Sequence, residues 1–406
     1  MKSDRKLRHG QVTRFNSKVV RDLNRSVILN LIREHQPISR VRIAQMTNLN
    51  KSTVSSIVGS LLTEQLLEER LEKRGSVGRN PVNLRLKKGN HFFGAIYFDS
   101  VSTRVAIIDI DGTIKETLDI RTEASHPERF IARCLSELNG LRKQNQLPPF
   151  KGIGATVAGI VDTAQSKVVF APNLGWDDLD LSKTIRECCP EVPTIALEND
   201  AKASAIAELW FGRHDIGLSN FVFLLVDRGI GAAVVVDRRV LYGESHAAGE
   251  FGHTTLIEGG EPCTCGNTGC WEMYASDRAT VKRYILAKRL NGDSAVRLSM
   301  DDVIEAAVNG DENAREGLVE CGYYLGLGIA NIIKSVDPSA IIIGGRITRA
   351  WDLVYPEIQS VLTKRSFFGK TGATSILPTS LSSISPLLGA AALSIRRFFA
   401  EYGVTL

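Results

Sequence analysis

The sequence predicts an α/β body preceded by a small basic module of three helices and a β-hairpin. Charge is the first indication, because residues 1–90 contain 19 Lys and Arg against 7 Asp and Glu, whereas the rest contains 31 against 38. Periodicity is the second, since apolar residues recur at helical spacing near the start and in strand-length runs later. Length is the third: the chain has 406 residues, of which 43% are hydrophobic, and single cores rarely grow beyond roughly 250–300 residues.

The basic head suits a module that neutralises DNA phosphates, although a solvated basic tail would give the same count. The longest apolar runs, at residues 221–226 and 340–343, have only the length of strands. Residues 1–10 contain no apolar stretch that could act as a signal peptide. We therefore expect a globular cytoplasmic protein with no membrane partner, and no disulfide framework from its seven cysteines.

The head has the apolar spacing of a helix-turn-helix. A first helix at residues 26–35 is expected to end before Pro37. Ser39 is expected to cap a second helix, and Asn50 a third, with a tight turn at residues 47–49 between them. The residues expected to face inward are Val27, Ile28, Leu31, Ile32, Val41, Ile43, Ala44, Met46, Val54, Ile57, Val58, Leu61 and Leu62.

The third helix carries short or basic polar side chains on its outward face, which suits a helix that enters a DNA major groove. The candidate DNA contacts are Lys51, Ser52, Thr53, Ser55 and Ser56. Residues 70–86 predict two strands around a glycine-rich turn with Arg79 at its tip, a wing suited to the minor groove. The partner predicted for this winged helix-turn-helix is double-stranded operator DNA. The alternative is a helical cap that only packs on the body.

The body alternates strands with helical stretches, which predicts an α/β fold. Two β-rich runs within residues 92–110 predict a hairpin. Further strands are predicted at residues 152–156, 194–197, 221–226, 232–236 and 340–343. No internal repeat is visible in the sequence.

A cluster of potential metal ligands is the strongest local pattern. His253 is followed by Cys263, Cys265 and Cys270, and glycines in this segment permit a tight turn. One imidazole and three thiolates are a donor set of tetrahedral structural zinc. We therefore expect Zn²⁺ with no open position for catalysis, the alternatives being a redox cluster or a chance grouping.

Motifs along the whole body are shared with one family. They are GATVAGIVD at 154–162, APNLGW at 171–176, LENDAKASAIAE at 197–208, GEFGH at 249–253, the cysteine segment with Trp271 and Glu272, and residues 326–345. Together they resemble the ROK family of repressors, open reading frames and sugar kinases. The head, with LNKSTVSS at 49–56, is similar to that of xylose-repressor-like members.

The resemblance implies an actin/hexokinase-like (ribonuclease H-like) fold, in which two α/β lobes enclose a sugar, and a homodimer or higher homo-oligomer. The domains that follow are residues 1–88 for the head, residues 89–198 with 386–406 for the first lobe, and residues 199–385 for the second.

The resemblance also implies which residues hold the sugar hydroxyls, namely Asn199, Asp200, Glu250, His253 and Glu272. The chemistry is suitable, because carboxylates accept from hydroxyls and an imidazole bound to zinc through one nitrogen donates from the other. Each residue has an alternative: Asp200 could cap the helix at residues 201–210, and the two glutamates could be solvated loop acids.

Both phosphate-binding loops of the family's kinases are altered in this chain. The first, normally Asp-x-Gly-Gly-Thr, reads DSVST at residues 99–103, and the second, normally Gly-Thr-Gly-Ile-Gly-Gly-Gly, reads DRGIGAA at residues 227–233. Glycine permits the close backbone approach that ATP requires, and Asp227 would repel phosphate.

These observations predict a sugar-responsive repressor of carbohydrate catabolism genes, of the xylose-repressor type, and not an enzyme. A small sugar in the cleft would change operator affinity by favouring one of two lobe arrangements. Asp200 would then be a relic general base kept for hydroxyl recognition. The alternative is an ATP-dependent sugar kinase, and a body that docks another protein instead of a sugar is a third interpretation. The residues do not identify the sugar.

Overall fold

The computed structural model describes residues 17–71, 82–214, 217–290, 298–365 and 374–401. These residues form two compact units. One contains the described residues up to Lys87 together with residues 398–401, and the other is Lys88–Arg397. Within the described ranges, no helix combines the length and the hydropathy that crossing a membrane requires.

The first unit has the architecture of a winged helix-turn-helix. Its elements are α1 (Ser17–His35), β1 (Ile38–Ser39), α2 (Arg40–Thr47), α3 (Lys51–Thr63), β2 (Leu67–Leu71) and β3 (Val82–Leu86). The strands form an antiparallel sheet in the order β1-β3-β2. The hairpin of β2 and β3 agrees with the predicted wing, and its tip with Arg79 lies outside the described residues.

The helix caps of the head follow the prediction in one case of two. Ser39 caps α2, because its Oγ accepts from Arg42 N at 3.3 Å. Asn50 occupies the cap position of α3, but its side chain makes no cap hydrogen bond, so the predicted cap chemistry is wrong. Leu31 and Leu62, predicted to face inward, are only half-buried.

Three further predicted core residues of the head face solvent. Val27, Val41 and Met46 are 41%, 53% and 39% exposed, so their assignment to the core is wrong. α1 starts at Ser17, earlier than predicted, and its buried stripe contains Leu29 in place of Val27. α2 has only eight residues and buries a single narrow face. The remaining predicted inward residues are buried.

The second unit contains three sheets. Its strands are β4 (Phe92–Phe98), β5 (Ser102–Asp109), β6 (Ile114–Arg121), β7 (Ile153–Val157), β8 (Ile160–Asp162), β9 (Lys167–Ala171), β10 (Trp176–Asp180), β11 (Ile195–Asn199), β12 (Phe221–Val226), β13 (Ile230–Val236), β14 (Arg239–Val240), β15 (Ala340–Gly344) and β16 (Ser375–Pro378). Two five-stranded sheets have the orders β6-β5-β4-β7-β11 and β14-β13-β12-β15-β16, and a small antiparallel sheet has the order β10-β9-β8.

The two five-stranded sheets share one topology, three antiparallel strands followed by two parallel ones. This duplication confirms the two-lobed actin/hexokinase-like fold class. The sequence shows no repeat because backbone pairing fixes the topology, and different side chains satisfy it. The predicted hairpin and the other predicted strands are all present. The weakly patterned strand β6 was not predicted, since most of its residues are exposed.

The helices of the second unit cover these sheets. They are α4 (Pro127–Gln144), α5 (Leu181–Cys188), α6 (Asp200–Phe211), α7 (Glu272–Ala275), α8 (Asp277–Lys288), α9 (Met300–Val308), α10 (Glu312–Val336), α11 (Trp351–Lys364) and α12 (Ser385–Glu401). α6 is buried on almost all sides. Its small residues permit this, since a Cβ at Gly389 of α12 would lie 2.5 Å from the Ala203 backbone. Tight packing holds the first residues of α6 in place.

Candidate functional site

The junction of β11 and α6 positions two of the predicted sugar-binding residues. Asn199 is the helix cap, because its Oδ1 accepts from Lys202 N at 3.0 Å while its Nδ2 donates to Gly159 O at 3.1 Å. Asp200 is the first helical residue, and its Oδ1 accepts from Ala201 N at 2.8 Å. The alternative in which Asp200 serves as the cap is therefore wrong.

Asp200 is an acid with an unusual titration. Its side chain is buried, and burial raises the pKa of its carboxyl to about 7. The nearby carboxylates of Asp227, Glu250 and Asp99 raise this pKa further, whereas the hydrogen bond from Ala201 N lowers it. The group can therefore gain or lose a proton near neutral pH.

A cavity of about 370 Å³ opens beside Asp200. Its volume falls within the range of about 300–1,000 Å³ that is typical of small-molecule sites. The structure brings all five predicted sugar-binding residues to its surface, namely Asn199, Asp200, Glu250, His253 and Glu272. Sequence reasoning missed the apolar side of the cavity, where Ile160 and Phe170 pair across β8 and β9.

The four predicted metal ligands also come together. The donor atoms of His253, Cys263, Cys265 and Cys270 all lie within 4.8 Å of one another. Cys265 Sγ lies 3.6 Å from Cys270 Sγ, and Cys263 Sγ lies 3.6 Å from His253 Nδ1. Thiolates about 2.3 Å from a tetrahedral zinc would be about 3.8 Å apart, so the donor set and its spacing fit zinc.

The cysteine cluster and the cavity share a wall. Glu272 Oε1 lies 3.2 Å from Cys263 Sγ and 3.8 Å from His253 Nδ1. We call Glu250, His253 and Glu272 the cysteine-side wall. Gly269 shapes it through a backbone φ of +72°, at a point where a Cβ would lie 1.7 Å from Ile257 O.

Residues of the two altered loops line another part of the cavity together with Tyr97 of β4, and we call Tyr97, Asp99, Asp227 and Arg228 the phosphate-loop wall. Asp227 Oδ1 accepts from Arg346 Nη1 at 2.7 Å and from Arg228 N at 3.0 Å. Tyr97 OH lies 3.4 Å from Asp227 Oδ2. Burial raises the pKa of the Asp227 carboxyl, and the Arg346 guanidinium acts against that rise.

Sequence reasoning missed Arg346 and Tyr97. A signal for Arg346 was present, because it lies two residues after the end of β15, and Asp227 directly follows β12. These strands are parallel neighbours, so their carboxyl ends meet at one edge of the sheet, where ligand sites of α/β proteins form.

The outward face of α3 has the exposure expected of a DNA-binding surface. Lys51, Ser52, Ser55 and Ser56 are exposed, and Thr53 is half-buried. The inner face is buried among the other head helices. Arg79 lies outside the described residues.

Comparison with known proteins identifies a family for most of the chain. The ROK family model matches residues 96–397. The xylose repressor of Bacillus subtilis (strain 168) is 33% identical over 389 residues, which is 93% of this chain and 96% of that protein.

Two solved structures are similar in fold. A ROK family transcriptional regulator, described as a homologue of the Escherichia coli MLC protein, has a TM-score of 0.77 at 26% identity and covers 95% of this chain and 98% of its own. A ROK family glucokinase from Streptomyces griseus, in complex with glucose and AMPPNP, has a TM-score of 0.67 at 26% identity. It covers 98% of its own chain but 74% of this one.

Proposed function

The chain belongs to the ROK family, and on this premise we propose that it is a sugar-responsive, DNA-binding transcriptional repressor of carbohydrate catabolism genes. One observation carries the proposal. The same chain combines a winged head, whose third helix exposes Lys51 and Ser55, with a cavity whose phosphate-loop wall is occupied by the Asp227–Arg346 ion pair.

The sugar is proposed to bind between Asp200 and the cysteine-side wall. Asp200, Glu250 and Glu272 would accept hydrogen bonds from sugar hydroxyls, and His253 would donate one. Asn199 contributes less, because two of its side-chain atoms already bond to backbone. Xylose is the first effector to test, since the Bacillus subtilis relative is named for it.

Zinc is proposed to bind His253, Cys263, Cys265 and Cys270 as a structural ion. It would hold together the segment that carries His253 and Glu272, so its effect on the sugar would be to fix the orientation of their side chains. A closed set of four protein ligands leaves no position for a substrate.

The head is proposed to read operator DNA through α3, with Lys51, Ser52, Thr53, Ser55 and Ser56 in the major groove and Arg79 at the tip of the wing. A homodimer would place two such heads on half-sites one helical turn apart, about 34–36 Å. Such a repressor acts on the chromosome, which places it in the cytoplasm. The three domains remain those predicted from the sequence, with residues 1–88 as the DNA-binding part.

A sugar kinase is the second candidate, favoured by the glucokinase likeness and by the buried Asp200. Phosphoryl transfer depends almost entirely on positioning and stabilising the γ-phosphate. Asp227 places a carboxylate on the loop that would have to approach that phosphate, so we expect no ATP-dependent phosphorylation of xylose or glucose. Turnover near the 1–100 per second typical of kinases would reverse the assignment.

The proposal is tested by selecting operator fragments from genomic DNA with the full chain and titrating the recovered fragment by fluorescence anisotropy. We expect nanomolar binding and a change in affinity on adding xylose or another sugar from a panel. Selection of no fragment above a Ser55→Glu control, or an affinity unchanged by every sugar, would contradict it.

A further inference from the structure

The cavity has a strongly acidic lining. Its carboxylates are Asp99, Asp200, Asp227, Glu250 and Glu272. The basic side chains on the same surface are Arg228 and His253, and His253 belongs to the cluster proposed to bind zinc. Even with Asp200 protonated, four acids face one permanent cation. A small negatively charged ligand would therefore enter an unfavourable field.

Cations beside the cavity are already paired with carboxylates, as Arg278 is with Glu272 at 3.9 Å. The Arg346 guanidinium lies 2.7 Å from Asp227 Oδ1, 3.6 Å from Asp277 Oδ2 and 3.4 Å from Asp301 Oδ2. Asp301 also pairs with Arg349. Because three carboxylates surround Arg346, this guanidinium has little attraction left for a fourth anion.

The Asp227 carboxylate itself occupies a set of anion-binding donors. Arg346 and the backbone amide of Arg228 donate to one of its oxygens, and Tyr97 OH faces the other. A backbone amide, a guanidinium and a hydroxyl are the donors that bind phosphate oxygens in proteins. In this chain these donors are occupied by the carboxylate of Asp227, which lies on the second altered loop.

We infer that the effector is an uncharged sugar, and that the pocket rejects the phosphate ester of the same sugar. This inference rests on the proposed function and narrows its ligand class. Hydroxyls donate hydrogen bonds to the surrounding carboxylates. The phosphate group of the ester carries about −1.5 to −2 charges at neutral pH and three strong acceptor oxygens. Beside these carboxylates it would be a like charge in the place of a hydroxyl donor.

The test measures pairs of ligands with the full-length, metal-replete protein. Isothermal titration compares D-xylose with D-xylose 5-phosphate, D-glucose with D-glucose 6-phosphate, and N-acetylglucosamine with its 6-phosphate. In every pair that binds, we expect the free sugar to bind at least about tenfold more tightly, since like-charge contacts strongly disfavour a wrong ligand.

Two variants test whether the Asp227 carboxylate causes the preference for the free sugar. Asp227→Ser removes the internal carboxylate and frees its donors, so the preference for the free sugar should shrink about tenfold or more. Asp178→Asn is the matched control. It also removes one negative charge, but its side chain is 80% exposed beside Lys167 and does not line the cavity. The ratio of the two affinities should stay unchanged in this control.

The outcomes are distinct. A phosphate ester that binds wild type as tightly as its free sugar overturns the inference and leaves the sugar-responsive repressor standing. An unchanged ratio in Asp227→Ser also overturns it, because the selection would then not arise from this carboxylate. Absence of binding by all six compounds contradicts the proposed function itself, and the inference with it.

Discussion

The two walls of the cavity differ in how their polar groups are satisfied. On the cysteine-side wall, Glu250 and His253 keep exposed surface facing the space. On the phosphate-loop wall, Asp227 is bound by Arg346 and by a backbone amide. Groups already bonded within the protein gain little from a ligand, whereas partly exposed groups exchange water for it. Glu250 and His253 are therefore suited to recognise a ligand, whereas Asp227 is already satisfied by the protein itself.

This difference between the walls distinguishes what a sugar sensor requires from what a sugar kinase requires. A kinase needs both walls, because the sugar and the transferred phosphate must be positioned together. A sensor needs only one wall and a coupling between ligand and DNA affinity. Asp200 lies where both requirements overlap, so under the proposed function a residue suited to general-base catalysis is kept for hydroxyl recognition.

Loss of the proposed zinc ion should disrupt the cysteine-side wall and have the largest effect on the stability of the protein. We expect about one zinc ion per chain, and loss of zinc and of soluble folded protein in Cys270→Ser. Structural zinc contributes about 10–16 kcal/mol in zinc-finger peptides, comparable with the whole stability of a domain at about 5–15 kcal/mol. Elemental analysis and thermal melting measure both effects.

Cys188→Ser is the control for this prediction, because Cys188 is exposed and lies outside the cluster. Its zinc content and melting temperature should match wild type. Wild-type protein purified without chelator that contains no zinc would contradict the assignment of the four ligands.

Changes in the head should leave both walls intact. Lys51→Ala is expected to weaken operator binding roughly tenfold and to lower the salt slope by about one, with the sugar-induced thermal shift unchanged. Arg79→Ala should behave in the same way. Lys334→Ala removes an exposed body lysine as a control. Full operator affinity in both head variants would refute the helix-turn-helix assignment.

A change of pH should produce the smallest of these effects, a change in sugar affinity. The pKa of Asp200 is raised to about 7, so the carboxyl is mostly neutral at pH 6 and mostly ionised at pH 8. Hydrogen bonds to a charged acceptor are about twice as strong as neutral ones. Sugar affinity should therefore rise several-fold from pH 6 to pH 8 in calorimetric titrations. Asp200→Asn cannot ionise, and an equal rise in this variant would assign the titration to another group.

The sequence predicted the head elements, the core strands and the side chains that the structure brings to the cavity and the cysteine cluster because their signals are local. The cysteine cluster spans few residues, and the core strands are continuous apolar runs. The pairing of Arg346 with Asp227, which are 119 positions apart, had no local signal and could be inferred only from the neighbouring ends of their strands. Exposure of Val41 and Met46 was missed for a related reason, since periodicity shows an apolar residue but not whether another element covers it.

The central claim is that sugar bound at Asp200 controls the head. Fluorescence anisotropy with operator DNA and graded sugar compares wild type with Asp200→Ala, and with Asp180→Ala as a control. Asp180 also accepts from a backbone amide at a helix start but lies outside the cavity. Losing a charged hydrogen-bond partner costs roughly 1.5–3 kcal/mol, or about 10–150-fold in sugar affinity.

We predict that Asp200→Ala binds operator with wild-type affinity and melts as a folded protein. Its DNA affinity should respond only at sugar concentrations about 10–150-fold higher than those needed by wild type and Asp180→Ala. If Asp200→Ala responds at the same sugar concentration as wild type, the cavity beside Asp200 is not the sensor.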